Sequence, residues 1–369
     1  MTADAGETDG RDAATGDADL VVREARPGDA DAVAAFTRDT WGDRSPDYIP
    51  RVFAEWAASD DPDRGTFVAV LPPTAVDATA IDGREREETL VTGGGDGASA
   101  DGDREAVVGC VQGVLLSEWE AWAQGIRVDP AARGRGVGTA LATAALEWAR
   151  ERGATVCRNM VFSWNVMGLG QSRAVGFEPA TEFRFAEPEP DAGALTARSD
   201  SPPHAPSRIG DPDPNAAWAC WTDSDARDHL RGLALDPDEP WACSELTRDR
   251  LAAAAADDRL IAVGDDGVAG FAVRARTAER PVDDGGDADS DDPERIAEYG
   301  VAAWRDVDAA GALYAAVATD AAAVDADATR VLIPETAEHV SDTGASRVAV
   351  AAEPDFVMRA DLTGAGDGA

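Results

Sequence analysis

The residues whose types and spacing are most informative for chemistry lie in a glycine-rich segment at positions 126–139. It contains three alternating glycines and two arginines: Arg133, Gly134, Arg135, Gly136 and Gly138. A predicted strand at 119–128 precedes the glycines, and a predicted helix at 139–152 follows them. The first N–H groups of such a helix and the positive end of its dipole converge on one point, where an anion such as a pyrophosphate can bind. Glycine lets a phosphate approach the backbone because it has no Cβ atom.

Three kinds of loop compete to explain this segment. A dinucleotide-binding loop requires Gly-x-Gly-x-x-Gly, but threonine stands at the last position, and a P-loop requires a lysine, which the sequence lacks altogether. The third candidate fits residue by residue. The pattern Arg-x-x-Gly-x-Gly over residues 133–138 resembles the Gln/Arg-x-x-Gly-x-Gly/Ala acetyl-CoA signature of the GNAT superfamily of N-acetyltransferases. A preceding strand that ends Val-x-Pro agrees with this, as do Asn165 and the later pair Gly176 and Phe177.

The resemblance covers residues 20–186 and implies a GNAT fold, an α/β (α+β) architecture with a mixed sheet. It also implies acetyl-CoA as co-substrate, admitted where the fourth and fifth strands part. By position, the backbone of Ile126 and Val128 would pair with the pantetheine arm, the loop would hold the pyrophosphate, and Asn165 would contact the pantetheine. The residues implied in acetyl-CoA binding are Ile126, Val128, Arg133, Gly134, Arg135, Gly136, Val137, Gly138, Thr139 and Asn165.

Catalysis of acetyl transfer to an amine needs a base, because an amine at neutral pH is mostly protonated. Side chains alternate along a strand, so the predicted fourth strand presents Glu118, Glu120, Trp122 and Gln124 on one face. We predict that Glu120 is the base and that Gln124 orients the acceptor; the alternative is that Glu118 and Glu120 are ordinary solvent-facing acids. Many superfamily members have a tyrosine seven residues after the asparagine as the acid, where this sequence has Ser172.

A second, shorter resemblance concerns the acceptor. The sequence Asp-Tyr-Ile-Pro at 47–50, with Trp56 later, is similar to acetyltransferases of the histidine N-acetyltransferase type. The end of the fourth strand, Gly-Ile-Arg-Val at 125–128, shares their Gly-x-Arg-Val pattern. This resemblance favours an enzyme that moves acetyl to the primary amine of a small molecule. A non-catalytic acyl-CoA-binding or regulatory module is the alternative, since it would need the same loop.

The charge balance limits the partners. Asp and Glu number 71 against 33 Arg plus Lys, which gives a net charge of −38 and a pI near 4.2. Nucleic acid and anionic membranes need a basic patch, so neither is an expected partner. An acidic interaction tail is one explanation of the charge. Because the acidic residues are spread along the whole chain, we favour a surface adapted to concentrated salt, as in a halophilic organism.

Localisation and metal binding are judged from what the sequence lacks. It contains no basic-then-apolar leader and no run of 18 apolar residues, so we expect a cytoplasmic protein. The four cysteines form no Cys-x-x-Cys pair, and the three histidines are equally scattered. We therefore expect no metal site.

The length of 369 residues predicts two domains. An acidic tail expected to be disordered (1–19) precedes an acetyltransferase domain (20–186) that carries an acidic insert (74–104). A linker (187–214) then leads to a second domain (215–363) with its own insert (279–294). Starting from a predicted strand at 217–221, the second domain repeats the order of strands and helices and carries its acidic insert in the same relative place, which indicates a degenerate GNAT-like duplicate. Its counterpart of the glycine loop, at 304–311, contains two aspartates and should repel a pyrophosphate.

Overall fold

A computed structural model describes residues 20–44, 47–72, 91–92, 105–197, 205–280 and 293–364. The predicted N-terminal tail, most of the first insert and most of the second lie outside the described residues. Two compact units divide the chain: Met1–Val114 with Ala123–Ala149, and Leu115–Trp122 with Arg150–Ala369. Residues 150–186, which we predicted to belong to the first domain, therefore lie in the second unit.

The first unit holds the predicted donor loop. Its elements are β1 (Val21–Glu24), α1 (Ala30–Thr37), α2 (Ile49–Ala58), β2 (Arg64–Leu71), β3 (Val91–Thr92), β4 (Glu105–Leu115), β5 (Glu120–Val128) and α3 (Val137–Glu151), the last three extending slightly into the second unit. The strand order is β1-β2-β4-β5, and β1, β2 and β4 pair in antiparallel fashion. Helices α1 and α2 pack on one face of this sheet and α3 packs on the other.

The second unit is longer. Its further elements are β6 (Val156–Phe162), α4 (Val166–Ala174), β7 (Glu178–Glu187), α5 (Ala194–Ala197), β8 (Ser207–Arg208), α6 (Pro214–Thr222), α7 (Asp225–His229), β9 (Leu233–Leu235), β10 (Cys243–Glu245), α8 (Arg248–Ala256), β11 (Leu260–Gly264), β12 (Gly270–Arg280), β13 (Glu294–Trp304), α9 (Val307–Ala323), β14 (Ala328–Pro334), α10 (Ala337–Ala345), β15 (Ala349–Val350) and β16 (Asp355–Asp361). Helices α6–α8 cover one face of its sheet and α9 covers the opposite face.

The sheet of the second unit contains both strand directions. Residues 120–122 of β5 pair in parallel with β6, and β13 pairs in parallel with β14, whereas the other strands are antiparallel. In the order β6-β16-β7-β14, the last strands of the two halves, β7 and β16, have exchanged neighbours. The strand that follows β6 along the chain, β7, lies beside β14. Strand β16, which follows β14, α10 and the short β15 along the chain, lies beside β6. The predicted mixed α/β architecture is confirmed.

Several local predictions need correction. Residues 217–221, predicted as a strand, belong to helix α6, because Pro214 starts that helix and the Asp213 side chain accepts a hydrogen bond from Asn215 N at 2.9 Å. The predicted linker includes the short α5 and β8, and β8 pairs with β11. The two inserts are not equivalent: the first lies between β2 and β4, and the second lies one strand later, between β12 and β13.

Among the described residues, no helix is both long enough and apolar enough to cross a lipid bilayer.

Candidate functional site

The predicted donor loop lies between the end of β5 and the start of α3. After one 3-10 turn at Pro130–Ala132, Gly134 and Gly136 adopt left-handed conformations, with φ of +78° and +79°. Side chains with a Cβ rarely adopt such angles, so both positions favour glycine. A Cβ built on either residue would find no protein atom within 4 Å. The loop is therefore open on the side that these glycines face, as a cradle for a ligand requires.

The N-terminus of α3 provides the donors. The Ala140 N–H donates to the Gly136 carbonyl at 2.9 Å, which closes the first helical turn. The N–H groups that precede it in a helix have no acceptor within that helix. Val137 and Gly138 are buried, which anchors the helix, whereas Thr139 is exposed. The donors of the first turn and the helix dipole thus meet at the open side of the loop, where they favour an anion.

Charged side chains complete the loop. Arg133 is exposed and Arg135 is half-buried. The buried Asp129 fixes the turn before them, because its Oδ1 accepts a hydrogen bond from Ala131 N at 2.9 Å. Two guanidinium groups beside a helix N-terminus suit the double charge of a pyrophosphate. The donor set and the open cradle therefore fit acetyl-CoA.

The backbone groups of strand β5 alternate in direction. Asp129 N donates to Val108 O on β4 at 2.8 Å, so in an alternating strand the N–H of Val128 points away from β4. The side chains of Ile126 and Val128 pack into the core beneath α3. The carbonyl of Ile126 accepts a hydrogen bond from Arg127 Nη1 at 3.0 Å. The Ile126 carbonyl therefore already accepts one hydrogen bond within the chain.

Gly125 makes β5 irregular at the residue before this segment. Its φ is +65°, and a Cβ there would lie 2.7 Å from the Trp56 ring and 3.0 Å from Ile49 Cδ1. Both the angle and the close approach of α2 require glycine at this position. The short sequence similarity around residues 125–128 and 47–56 thus corresponds to a direct contact between β5 and α2.

An ion pair joins the same two segments. Asp47 accepts from Arg127 Nε at 2.6 Å and from Arg127 Nη2 at 3.1 Å, and both side chains are largely buried. The Arg127 guanidinium also lies over the ring of Trp41, 4.6 Å from its centroid. Burial lowers the pKa of Arg127, but the bonds to Asp47 outweigh burial and the net pKa is raised. This arginine is a fixed cation that holds the chain before α2 against β5.

Gln124 belongs to a relay of polar side chains that sequence reasoning missed. Its Nε2 donates to Gln112 Oε1 at 2.8 Å, and Gln112 Nε2 donates to Thr66 Oγ1 at 3.1 Å. Thr66 in turn donates to the carbonyl of Trp56 at 3.3 Å. Gln112 is fully buried. Because a buried amide in an otherwise apolar strand needs partners, Gln112 was the clue in the sequence. The relay holds the Gln124 amide in one orientation.

Glu120 lies in the second unit and is 2% exposed, so the solvent-facing alternative applies to Glu118 alone. Its Oε1 accepts from Arg158 Nη1 at 2.5 Å and from the backbone N of Glu245 at 3.0 Å. Its Oε2 accepts from Ser117 Oγ at 3.2 Å. Both oxygens are engaged, so Glu120 would have to exchange one of these bonds before it could take a proton from an amine.

Ser172 and Asn165 also have partners within the second unit. Ser172 is buried, and its Oγ accepts from Asn159 Nδ2 at 3.1 Å. The Asn165 side chain caps α4, because its Oδ1 accepts from Gly168 N at 2.9 Å. Ser172 is thus packed between α4 and β6, and the carbonyl oxygen of the Asn165 side chain is used to begin α4.

The counterpart of the donor loop precedes α9. Asp306 caps this helix, and its Oδ1 accepts from Ala309 N at 2.9 Å. That backbone bond is the main reason why the pKa of Asp306 is lowered. A carboxylate of the chain itself therefore occupies the place that an anionic ligand would take.

Comparisons with known proteins agree with this geometry. Residues 31–166 match the model of the acetyltransferase (GNAT) family. Among solved structures, a GCN5-related N-acetyltransferase from Sphaerobacter thermophilus shares 14% sequence identity, with a TM-score of 0.52 over 96% of this chain and 99% of that chain. A GCN5-related N-acetyltransferase from Kribbella flavida shares 23% identity over 44% of this chain and 84% of that chain, with a TM-score of 0.31. No curated protein has a significantly similar sequence.

The likeness to the Sphaerobacter thermophilus protein runs through both halves of the chain. The chain therefore has the GNAT fold, and the predicted fold class is confirmed. The family model spans the whole of β5, the donor loop and α3 and ends next to Asn165.

Proposed function

We propose that this protein is an acetyl-CoA-dependent N-acetyltransferase that acetylates the primary amine of a small molecule. The observation that carries the proposal is the open, left-handed glycine loop that precedes the first turn of α3. Bound acetyl-CoA supplies an activated acetyl thioester. The N–H groups of residues 134–139 and the guanidinium groups of Arg133 and Arg135 would hold its pyrophosphate.

The remaining contacts to the donor follow from the superfamily resemblance. The N–H of Ile126 and the backbone of Val128 would pair with the pantetheine arm, and Asn165 would contact the same arm. Asn165 Nδ2 is the atom for this role, since Oδ1 caps α4. These assignments rest on position in the sequence and on the orientation of β5.

The acceptor side is proposed from the α2 face of β5. The relay from Thr66 through Gln112 fixes the Gln124 amide, which suits a residue that orients an amine. The Asp47–Arg127 pair connects the two segments that resemble histidine N-acetyltransferase-type enzymes. The resemblance of these two segments is the reason to favour a small-molecule amine over a protein N-terminus.

Glu120 as general base and Ser172 as a substitute for the usual acid remain proposals. The thiolate of coenzyme A is a tolerable leaving group unaided, because a thiol pKa is roughly 8.5. A weak acid at position 172 is therefore compatible with turnover. Glu120 would act through water after exchange of its bond to Ser117, which is a neutral side-chain partner of its carboxylate.

A non-catalytic acyl-CoA-binding or regulatory module is the second candidate. One observation favours it: both Glu120 and Ser172 are buried and already bonded within the second unit. Release of free thiol from acetyl-CoA in the presence of an amine library separates the two functions. The enzyme should release thiol with at least one amine, whereas the module should bind acetyl-CoA and release none.

The environment follows from the charge. A net charge of −38 without a single lysine supports a halophilic, salt-rich cytoplasm and argues against nucleic acid or anionic lipid as a partner.

A further inference from the structure

A partly open cavity lies within the second unit, beside α8. Its volume is about 230 Å³, and its apolar wall comes from β9 to β13. The largest apolar side chains of the lining are those of Leu235, Leu246 and Val273. For comparison, a cavity of about 150 Å³ accommodates benzene. The space beside α8 is therefore large enough for a small organic molecule.

The polar part of the lining is mainly cationic. Arg250 and Arg259 border the cavity, with Asp238 as the one carboxylate among the lining residues. This ratio is the reverse of that in the whole chain, where acidic residues outnumber basic ones by 71 to 33. Arg259 is already paired with Asp257 at 3.0 Å, so Arg250 is the guanidinium of this lining that would attract an anion.

The Arg250 guanidinium is held from behind by neutral acceptors. Its Nη1 donates to Ser244 Oγ and to the carbonyl of Glu245, both at 2.7 Å, and its Nη2 donates to the carbonyl of Leu235 at 2.9 Å. Asp236 is one step removed, since it accepts from the Ser244 hydroxyl at 2.5 Å. Burial lowers the pKa of Arg250, although the carboxylates of Asp236, Glu120 and Asp238 raise it. A ligand carboxylate that reaches the guanidinium from the cavity would offset the cost of burying its charge.

The position of the cavity repeats that of the proposed acceptor face. Gly300 lies four residues before the end of β13, as Gln124 does before the end of β5. Helices α8 and α2 both precede the strands that they cover. In the first unit, this place holds the Gln112–Gln124 pair and Trp56, whereas in the second unit it is hollow. The second half therefore lacks the glycine loop and has a cavity at the place where the first unit has these side chains.

We propose that this cavity binds a small aliphatic carboxylate. The aliphatic part would pack against Leu235, Leu246 and Val273, and the carboxylate would face Arg250. The apolar walls disfavour inorganic phosphate, which has no group to place against them. The site uses no residue of the donor loop, so it is independent of the proposed transferase function.

The first test compares 3-methylbutanoate with 3-methylbutanamide, which has the same shape but no charge. Titration calorimetry on the full chain in molar potassium chloride should show saturable binding of the carboxylate, and the amide should bind at least about tenfold more weakly. Equal affinities for the two probes, tighter binding of inorganic phosphate, or no saturable heat from the carboxylate would each overturn the proposal.

Variants locate the site. Ala253→Trp fills the cavity from the exposed side of α8 and should abolish carboxylate binding without removing an internal contact. Arg250→Gln should weaken the carboxylate at least about tenfold and leave the amide unchanged. Arg248→Gln on the same helix is the matched control, because Arg248 is exposed and does not line the cavity. Unchanged affinity in Ala253→Trp would show that the ligand binds elsewhere, even if Arg250→Gln fails to fold.

Discussion

The N-termini of α3 and α9 differ although the two helices have equivalent places in their halves. Each follows a long strand, and each connects two strands that pair in parallel. Before α3, two glycines with positive φ leave the first turn open, with Arg133 and Arg135 beside it. Before α9, the carboxylate of Asp306 bonds to the first turn. A helix N-terminus is thus a ligand site only where the preceding residues leave it open.

The lowered pKa of Asp306 supports this interpretation. Its largest cause is the bond from Ala309 N, and the ion pair with Arg305 adds to it. The first turn of α9 thus stabilises a negative charge, as the first turn of α3 would stabilise a pyrophosphate. The N-termini of both helices favour a negative charge. At α9 the chain supplies that charge itself, through the carboxylate of Asp306.

Lowering the salt concentration should have the largest effect, because both helix N-termini exist only in the folded protein. Reducing potassium chloride from molar concentration to about 0.1 M lengthens the screening distance from about 3 Å to about 10 Å and restores repulsion among 71 acidic residues. We expect loss of cooperative folding, measured by circular dichroism melts and by X-ray scattering. A cooperative melt of a compact protein in dilute buffer would show that the acidity has another purpose.

The donor loop can be broken by Gly136→Asp, with Gly136→Asn as the matched control. Both side chains tolerate left-handed backbone, so the variants differ mainly in charge. A carboxylate beside the pyrophosphate should weaken acetyl-CoA binding by about a hundredfold or more, and asparagine should weaken it about tenfold at most. Calorimetry of both variants measures the difference. Equal affinities would mean that the loop does not hold an anion.

The variant Glu120→Gln tests whether a residue of the second unit takes part in acetyl transfer. If Glu120 is the base, turnover falls by about 10² with acetyl-CoA affinity unchanged. Arg158→Gln is the control, because it breaks the same ion pair and leaves the carboxylate in place. A purely structural Glu120 would make the two variants equally defective in turnover and in unfolding free energy. Ser172→Ala should cost less activity than Glu120→Gln; the reverse order would contradict our assignment of roles.

The smallest effect concerns the cap of α9. Asp306→Ala should lower the free energy of unfolding by about 1 kcal/mol, whereas Asp306→Ser, which can still cap, should be nearly neutral. The pKa of Asp306 is lower in the folded state, so its contribution is present above the unfolded pKa and is lost as pH falls through the folded value. The difference between wild type and Asp306→Ala in denaturant melts should therefore shrink on acidification. A difference that grows instead would exclude the capping carboxylate as its source.

The sequence predicted those features that depend on neighbouring residues. The donor loop, with β5 before it and α3 after it, lies within one continuous segment, so glycine spacing and helix periodicity were sufficient. The surroundings of Glu120 depend on Arg158 and Glu245, which are 38 and 125 residues away along the chain. Alternation along β5 gave the face of Glu120 but could not reveal those partners.

The strand exchange was beyond sequence reasoning for a related reason. β16 lies between β6 and β7, and its closest partner strand in sequence is more than a hundred residues away. No local pattern distinguishes that arrangement from pairing within one half. The strand predicted at residues 217–221 was wrong for a different reason. A short apolar run fits a helix as well as a strand.

Amide hydrogen exchange with and without acetyl-CoA tests the central claim most directly, because one experiment follows both helix N-termini. In molar salt, acetyl-CoA should protect the amides of residues 134–140 and leave those of residues 306–310 unchanged. Protection at 306–310, or none at 134–140 when acetyl-CoA is bound, would contradict the assignment of the donor site to the glycine loop.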